Sequence, residues 1–515
     1  MNTFLKKNYK TIIILFFIGL LLFLAARGMD SQDFVITSLR SLSTGSVTFL
    51  VAAGFSLIFG LLDVLNLAQG TLYMIGAYMG WTVYVRPDTF VDLVTPILAI
   101  LAGFALKALW AFLAKRIKLA QKWSKLLAWG MVIVGAVVAI LILTKFPIAF
   151  WDLDVYSQSP ITYAFMADSG MRIAPVEAVF GAVSPFIMMI GLLLSSSMVA
   201  FGLSLFQKRE NVFANISWKD FIAFGVLILI ATLALIFNTP LTNTLSMMNT
   251  NWLFVISIVV AVLCGFGLGA LLESTLIRPL YNRPIYQLML TIGLGTIGIE
   301  IVQAIWGRPE FVFPKPALFK GTGDLCPATS LSGWLENHCS TVLILGGRVR
   351  VYDEIFIPIV GILVLIGVWI LLKRTRIGMI IRAGVQDREM VEALGINVRR
   401  VFTLVFSLGV GLAAFGGVLS APSVGLSSAM GERLLLYALI ALAIGGLTSF
   451  PGAALGSLLV GVIQQFLIKY GQIGIPIPFT DIIFKPSPPI IPASTVLLMV
   501  IVLLILPGGL LGKKE

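Results

Sequence analysis

Apolar runs of about membrane thickness recur along the whole chain. By hydropathy they cover 11–27, 42–62, 68–85, 94–113, 126–146, 178–206, 218–237, 253–276, 285–306, 355–372, 401–421, 432–447, 453–469 and 494–511. Most approach the ~20 residues that an α-helix needs to cross the hydrocarbon layer. Inside that layer every backbone N–H and C=O must find a partner within the protein, which leaves helices or a closed barrel as spanning structures. The runs lack strand-like alternation, so they predict an all-α polytopic membrane protein with about 14 transmembrane or re-entrant segments. The 68–85 and 432–447 pieces are short enough to be re-entrant. Residues 1–26 have the basic start and apolar run of a signal peptide. They lack a clear A-x-A site and are read as an uncleaved first helix.

Composition agrees. Of 515 residues 58% are hydrophobic and 12% charged, against roughly 25% charged in soluble domains. The net charge of +12 could suggest nucleic acid in a soluble chain. Here it is explained by Lys and Arg collecting in cytoplasmic loops. Most basic residues fall in alternate connecting segments, which predicts cytoplasmic N- and C-termini and places 307–354 outside.

Polar interruptions mark candidate functional positions. The segment FGLLDVLNLAQGTLYMIGAYMG (59–80) is broken by Asp63, Asn66, Gln69 and Gly70. A helix break at membrane depth survives only when buried in protein or beside water, as in transporter substrate sites. Asn66 is positioned to cap a helix starting near Ala68, whose positive N-terminal end would suit a carboxylate. An ordinary turn between two spans gives the same pattern. A second break, AIGGLTSFPGAALGS at 443–457, is what an inverted repeat would leave, or what close glycine packing alone would produce. The span 285–306 carries Thr291, Glu300 and Gln303. An acid in a membrane span is costly and is therefore a functional candidate, although Glu300 lies near enough to the outer end to pair at the interface.

The outer loop 307–354 contains Cys326 and Cys339. A disulfide between them and two free thiols both fit the sequence. Its prolines and glycines predict turns rather than a long helix. The chain has a single histidine and no C-x-x-C, so no metal centre is expected and no catalytic triad is indicated. On the cytoplasmic side, 373–400 holds seven basic residues together with Asp387, Glu389 and Glu392. Gly384 is placed to begin a short helix and Gly395 to end it, with Val385, Met390, Val391, Ala393 and Leu394 on an apolar side. A charged connector needs no such helix, so the loop is a candidate docking element.

Five pieces carry a resemblance: GFSLIFGLLDVLNLAQGTLYMIGAYMG (54–80), ESTLIRPLYNRP (273–284), LTIGLGTIGIEIVQ (290–303), RTRIGMIIRAGVQDREMVEALGINVRRV (374–401) and GGLTSFPGAALGSLLVGVI (445–463). In this order the chain resembles the membrane permeases of branched-chain amino acid ABC importers, a family that also contains urea and short-amide permeases. The resemblance implies a permease without cofactor or ATPase activity of its own, in a bacterial or archaeal cytoplasmic membrane. It implies a second permease subunit, two cytoplasmic ATP-binding subunits and an extracytoplasmic substrate-binding protein as partners. The chain has no G-x-x-x-x-G-K-[ST], in keeping with that division of labour. The resemblance makes Gly384 to Asn397 (Gly384, Asp387, Glu389, Glu392, Ala393, Leu394, Gly395, Asn397) the ATPase-coupling loop, and places Asn66, Gln69 and Gly70 near the substrate path. The chain is longer than such permeases, and the surplus is assigned to 86–250 as an insertion with about four spans. A urea or short-amide ABC permease is one alternative, and an ion-coupled secondary transporter is the other. It would use Glu300 and Lys107 and would need no ATPase.

Overall fold

The computed structural model describes residues 19, 28–62, 65–116, 121–148, 183–206, 218–281, 283–308, 310, 312–386, 388–393, 395, 397–476 and 483–512. Among these the chain is almost entirely helical, with two small antiparallel hairpins. Nine helices are long and apolar enough to cross a membrane, and a tenth span appears if one bent pair is counted together. This is fewer than the fourteen segments expected. All of the first run but residue 19 lies outside the described residues, and three other runs form helices of 16 or 17 residues.

The contacts divide the chain into two compact units. One runs through Trp81 and resumes at Thr250; the other is Thr82–Asn249. The first unit opens with α1 (Ser31–Leu62) and α2 (Gln69–Val85).

The second unit contains α3 (Pro87–Ala105), α4 (Lys107–Arg116), α5 (Gln121–Leu143), α6 (Pro185–Phe206), α7 (Trp218–Ile236) and α8 (Asn238–Met247). The expected span 94–113 is two helices, interrupted at Leu106. The span expected at 218–237 continues past a 74° bend into α8. Small residues set the packing: a Cβ on Gly103 would meet Ser196, and one on Gly202 would meet the Ala128 carbonyl. Several buried polar groups are paired within the unit. Arg86 holds Asp88 through two 3.0 Å bonds, and Asn238 Nδ2 donates to Asp92 Oδ1 at 2.8 Å. Much of the surface is apolar, including Trp123, Leu126 and Ile133, as suits a face in lipid.

The first unit continues with α9 (Thr250–Leu272), α10 (Pro284–Trp306), α11 (Leu331–Asn337), β1 (Thr341–Ile344), β2 (Gly347–Arg350), α12 (Ile357–Arg374), α13 (Arg376–Gln386), α14 (Arg388–Ala393), α15 (Val398–Val424), α16 (Met430–Gly445), α17 (Phe450–Ile473) and α18 (Ile490–Ile505). Helices α1 and α15 form its buried centre, α1 against α17 and α15 against α9. Two glycine pairs permit close helix approaches. A Cβ on Gly54 would lie 2.3 Å from the Gly409 carbonyl oxygen, and one on Gly409 would lie 2.6 Å from that of Gly54. Gly70 and Gly431 relate α2 to α16 in the same reciprocal way, at 2.3 and 2.4 Å. Any larger residue at these positions would push two helix backbones apart.

Turns dominate the described part of 307–354 as the sequence predicts, with a short 3-10 turn at Ala317–Phe319, the seven-residue α11, the β1–β2 hairpin and a π-helical turn from Val351. The Leu345–Gly346 turn has positive φ at both residues, the geometry that matches the strand twist of a two-residue hairpin. Cys326 and Cys339 are joined by a disulfide.

Candidate functional site

Three constellations in the first unit hold the polar side chains. The innermost lies at the α1–α2 break. Asn66 and Gln69 are buried, at 1% and 0% exposure. Asn66 Nδ2 donates to Gln69 Oε1 at 3.0 Å, and Gln69 Nε2 donates to the Gly409 carbonyl of α15 at 2.8 Å. The Thr291 hydroxyl of α10 accepts from Leu67 N at 3.3 Å and donates within reach of the Leu65 and Leu288 carbonyls. Side chains thus occupy the groups that a broken helix would leave unsatisfied. The expected Asn66 cap is not formed. Its amide is engaged with Gln69, helix α2 starts at Gln69, and its first residues are sealed against α15 and α16 rather than open to a solute.

Sequence reasoning grouped Thr291, Glu300 and Gln303 together, and the structure separates them. Thr291, Gly295, Gly298 and Val302 share the buried face of α10, where the Thr71 hydroxyl donates to the Gly295 carbonyl at 3.2 Å. Glu300 is exposed and Gln303 half-buried. Glu300 sits near the exposed Ile297 and Ile301.

The second constellation is at the same end of the helices. Helices α13 and α14 occupy the segment expected to couple to an ATPase, and Asp387 and Leu394 lie outside the described residues. Glu389, Glu392 and Ala393 fall on α14. Gly384 does not begin the helix: α13 starts eight residues earlier, where the Thr375 hydroxyl accepts from Gly378 N at 3.1 Å. Gly395 follows α14 with φ +77°, the left-handed conformation of a residue that ends a helix. Asn397 caps α15 instead, accepting from Arg400 N at 3.2 Å. Ile381 and Val391 are buried with Leu57, Val398, Phe402 and Val405, and Tyr281 packs against the same cluster.

Beside that cluster lies a clamp that the sequence reading passed over, although its residues belong to one of the quoted motifs. Glu273 opens a π-helical turn after α9 and is fully buried. Arg278 reaches both its carboxylate oxygens, at 3.2 and 2.7 Å. Thr403 of α15 donates to it at 2.6 Å, and the Tyr281 hydroxyl donates to it as well. The Tyr281 ring stacks edge-on with Phe402 at 5.6 Å. A buried carboxylate is tolerable only with such a full set of partners.

The third constellation is a cavity of about 620 Å³. It includes Arg40, Thr44, Val47 and Thr48 on one face of α1, and Arg433 and Tyr437 on one face of α16. Tyr73, one turn beyond Gln69 on α2, joins its wall and hydrogen-bonds Ser420. Part of the wall comes from the turn after β2. There Arg40 Nε meets Glu354 Oε1 at 2.6 Å, and Asp353 pairs with Lys315 at 3.0 Å and Arg350 at 3.2 Å. Ser423 also donates to Asp353. No sequence signal marks this cavity, because its residues come from six separate stretches. Arg40 and Leu57 are 17 positions apart on α1, so the cavity and the α13–α14 cluster lie roughly 25 Å apart along that helix.

Long apolar helices, a buried helix break and a polar cavity at the far end define a polytopic membrane transport protein. The comparisons narrow this. The family model of the branched-chain amino acid transport system / permease component matches residues 37–214 and 187–507, and the chain belongs to that family. Among curated proteins it is 27% identical over 270 residues to the high-affinity branched-chain amino acid transport system permease protein LivH of Salmonella typhimurium, covering 52% of this chain and 77% of that one. BraD of Pseudomonas aeruginosa, a permease protein of the same kind of system, is 33% identical over 173 residues, 33% of this chain and 51% of that one. A shorter match, 28% identical over 121 residues, reaches the fructose import permease protein FruF of Bifidobacterium longum, covering 22% of this chain and 34% of that one. No solved structure matches. The protein is accordingly a multi-pass permease of the cytoplasmic membrane.

Proposed function

We propose that the chain is the pore-forming subunit of an ATP-driven importer of branched-chain or related amino acids. The reading is carried by family membership together with the α13–α14 element. That element packs through Ile381 and Val391 onto α1 and α15 and leaves Met390 exposed. In this account both termini face the cytoplasm, and a separate ATP-binding subunit engages 384–397. A second permease completes the pore, and an extracytoplasmic binding protein delivers the solute. The disulfide supports an outside position for 307–354, since structural disulfides persist in oxidising compartments.

ATP-driven closure would press on α13–α14. Val391, Phe402 and Tyr281 would carry the displacement to the Glu273 clamp, and through Thr403 to the start of α15. The same helix accepts the Gln69 bond at Gly409, so its movement would strain the knot of Asn66, Gln69, Gly70 and Thr291 that closes the inner end of the path. Transport then switches between two access states biased by nucleotide. The exposed face of α10 would pack against the second permease, giving Glu300 and Gln303 a protein environment instead of lipid. A cysteine at Ile297 should then crosslink to that subunit; labelling only by lipid-soluble reagents would contradict the arrangement. Residues 86–250 are an insertion, and the apolar exterior of the unit that contains most of it meets lipid.

The chain purified from its native membrane in mild detergent should bring an ATPase and a second permease in stoichiometric amounts. Deletion of 385–394, or Glu392→Arg, should release the ATPase and abolish uptake at unchanged membrane levels. Isolation as a homo-oligomer with no ATPase would favour an ion-coupled transporter.

A further inference from the structure

The cavity beyond Tyr73 is polar, yet its polar groups are unequally engaged. Arg40 and Arg350 are held by Glu354 and Asp353. Among the described residues, Arg433 and Glu310 line the same cavity without an ion pair or side-chain hydrogen bond. Gln464 of α17 also lines it. It is only 6% exposed, and its Nε2 has no hydrogen-bond partner. A buried amide without a partner carries an uncompensated desolvation penalty, which a ligand acceptor would cancel. Val47, Val312, Ile357, Leu426 and Leu434 supply an apolar wall. The volume of about 620 Å³ falls in the range of small-molecule sites.

We propose that this cavity binds an intact zwitterionic amino acid on its way through the permease. The α-carboxylate is received by Arg433 and the Gln464 amide, the α-ammonium by Glu310, and an aliphatic side chain by the apolar wall. Free groups of both signs distinguish this ligand from urea and short amides. Those carry no net charges and would leave Arg433 and Glu310 unanswered. The inference rests on the importer reading and adds the site and the chemistry of recognition to it.

The full chain in lipid nanodiscs is titrated with radiolabelled leucine, using 4-methylpentanoate, 3-methylbutylamine and urea as competitors. Leucine should bind at least roughly tenfold more tightly than each competitor, since each half-ligand forfeits one charge-assisted contact. Arg433→Ala should remove the advantage of leucine over the amine, with Arg433→Lys restoring part of it. Glu310→Gln should remove the advantage over the carboxylate, and Gln464→Leu should weaken leucine alone. Leucine binding no more tightly than urea, or variants indistinguishable from wild type, would overturn the site. ATP-driven leucine uptake in membrane vesicles separates the two claims. Uptake with unchanged KM in Arg433→Ala and Glu310→Gln overturns the site and leaves the importer standing, whereas no ATP-driven uptake by wild type overturns the importer itself.

Discussion

The break between α1 and α2 and the cavity beyond Tyr73 contain the same kinds of residue, and they use them in opposite ways. At the break, the Asn66 and Gln69 amides and the Thr291 hydroxyl spend their bonds on one another and on backbone carbonyls. In the cavity, among the described residues, the exposed Arg433 and Glu310 have no ion pair and the buried Gln464 Nε2 has no hydrogen-bond partner. The first arrangement holds a helix end together inside apolar surroundings. The second can meet a solute. Polar residues in a membrane segment are therefore not evidence of a binding site until their partners have been counted.

That contrast can be broken by substitution, and the largest effects are expected on the satisfied side. Gly70→Leu should prevent assembly altogether, because its Cβ alone would lie 2.3 Å from the Gly431 carbonyl oxygen. Little folded protein should survive detergent extraction, and normal yield would show that α2 and α16 can separate. Glu273→Ala should lower stability by about 2–3 kcal/mol. This is less than the full cost of splitting a buried pair, because Arg278 can partly reach solvent. A thermal melt in detergent reads this, together with loss of coupling between ATP hydrolysis and uptake. Gln69→Leu leaves the Asn66 amide unsatisfied, at about 1–3 kcal/mol before relaxation, and removes the added side-chain bond to the Gly409 carbonyl. Its melting temperature should fall clearly below that of wild type. Arg433→Ala should shift the melt least, within about 0.5 kcal/mol, since no described partner depends on it. An Arg433→Ala melt as depressed as that of Gln69→Leu would erase the distinction between the two regions.

Much of the helical content was legible because a membrane segment announces itself by length and composition. The expected runs 285–306, 401–421 and 453–469 became Pro284–Trp306, Val398–Val424 and Phe450–Ile473. Their ends were extended by caps such as Asn397 and Ser449. Asn66, Gln69 and Thr291 could be picked out because polar residues are rare in such runs, and they do meet. Their roles could not be read, since nothing in LNLAQG says whether the Gln69 amide finds a carbonyl on a helix 340 residues away. The start of α13, in the loop expected to couple to an ATPase, was misplaced for a local reason. Thr375 carried the capping signal, and Gly384 is accommodated within a helix already under way. The cavity was invisible to hydropathy. Arg433 and Glu310 are unremarkable in sequence, and Gln464 gains meaning only when α17 is set beside α1 and α16.

The central claim is that movement through this permease is powered by ATP hydrolysed on another chain. The direct measurement is uptake of branched-chain amino acids into vesicles that hold the chain with its co-purifying partners and contain trapped ATP or a non-hydrolysable analogue. The account predicts accumulation that requires hydrolysable ATP, persists when ion gradients are collapsed, and disappears on deletion of 385–394. Accumulation without ATP that follows an imposed ion gradient would contradict it.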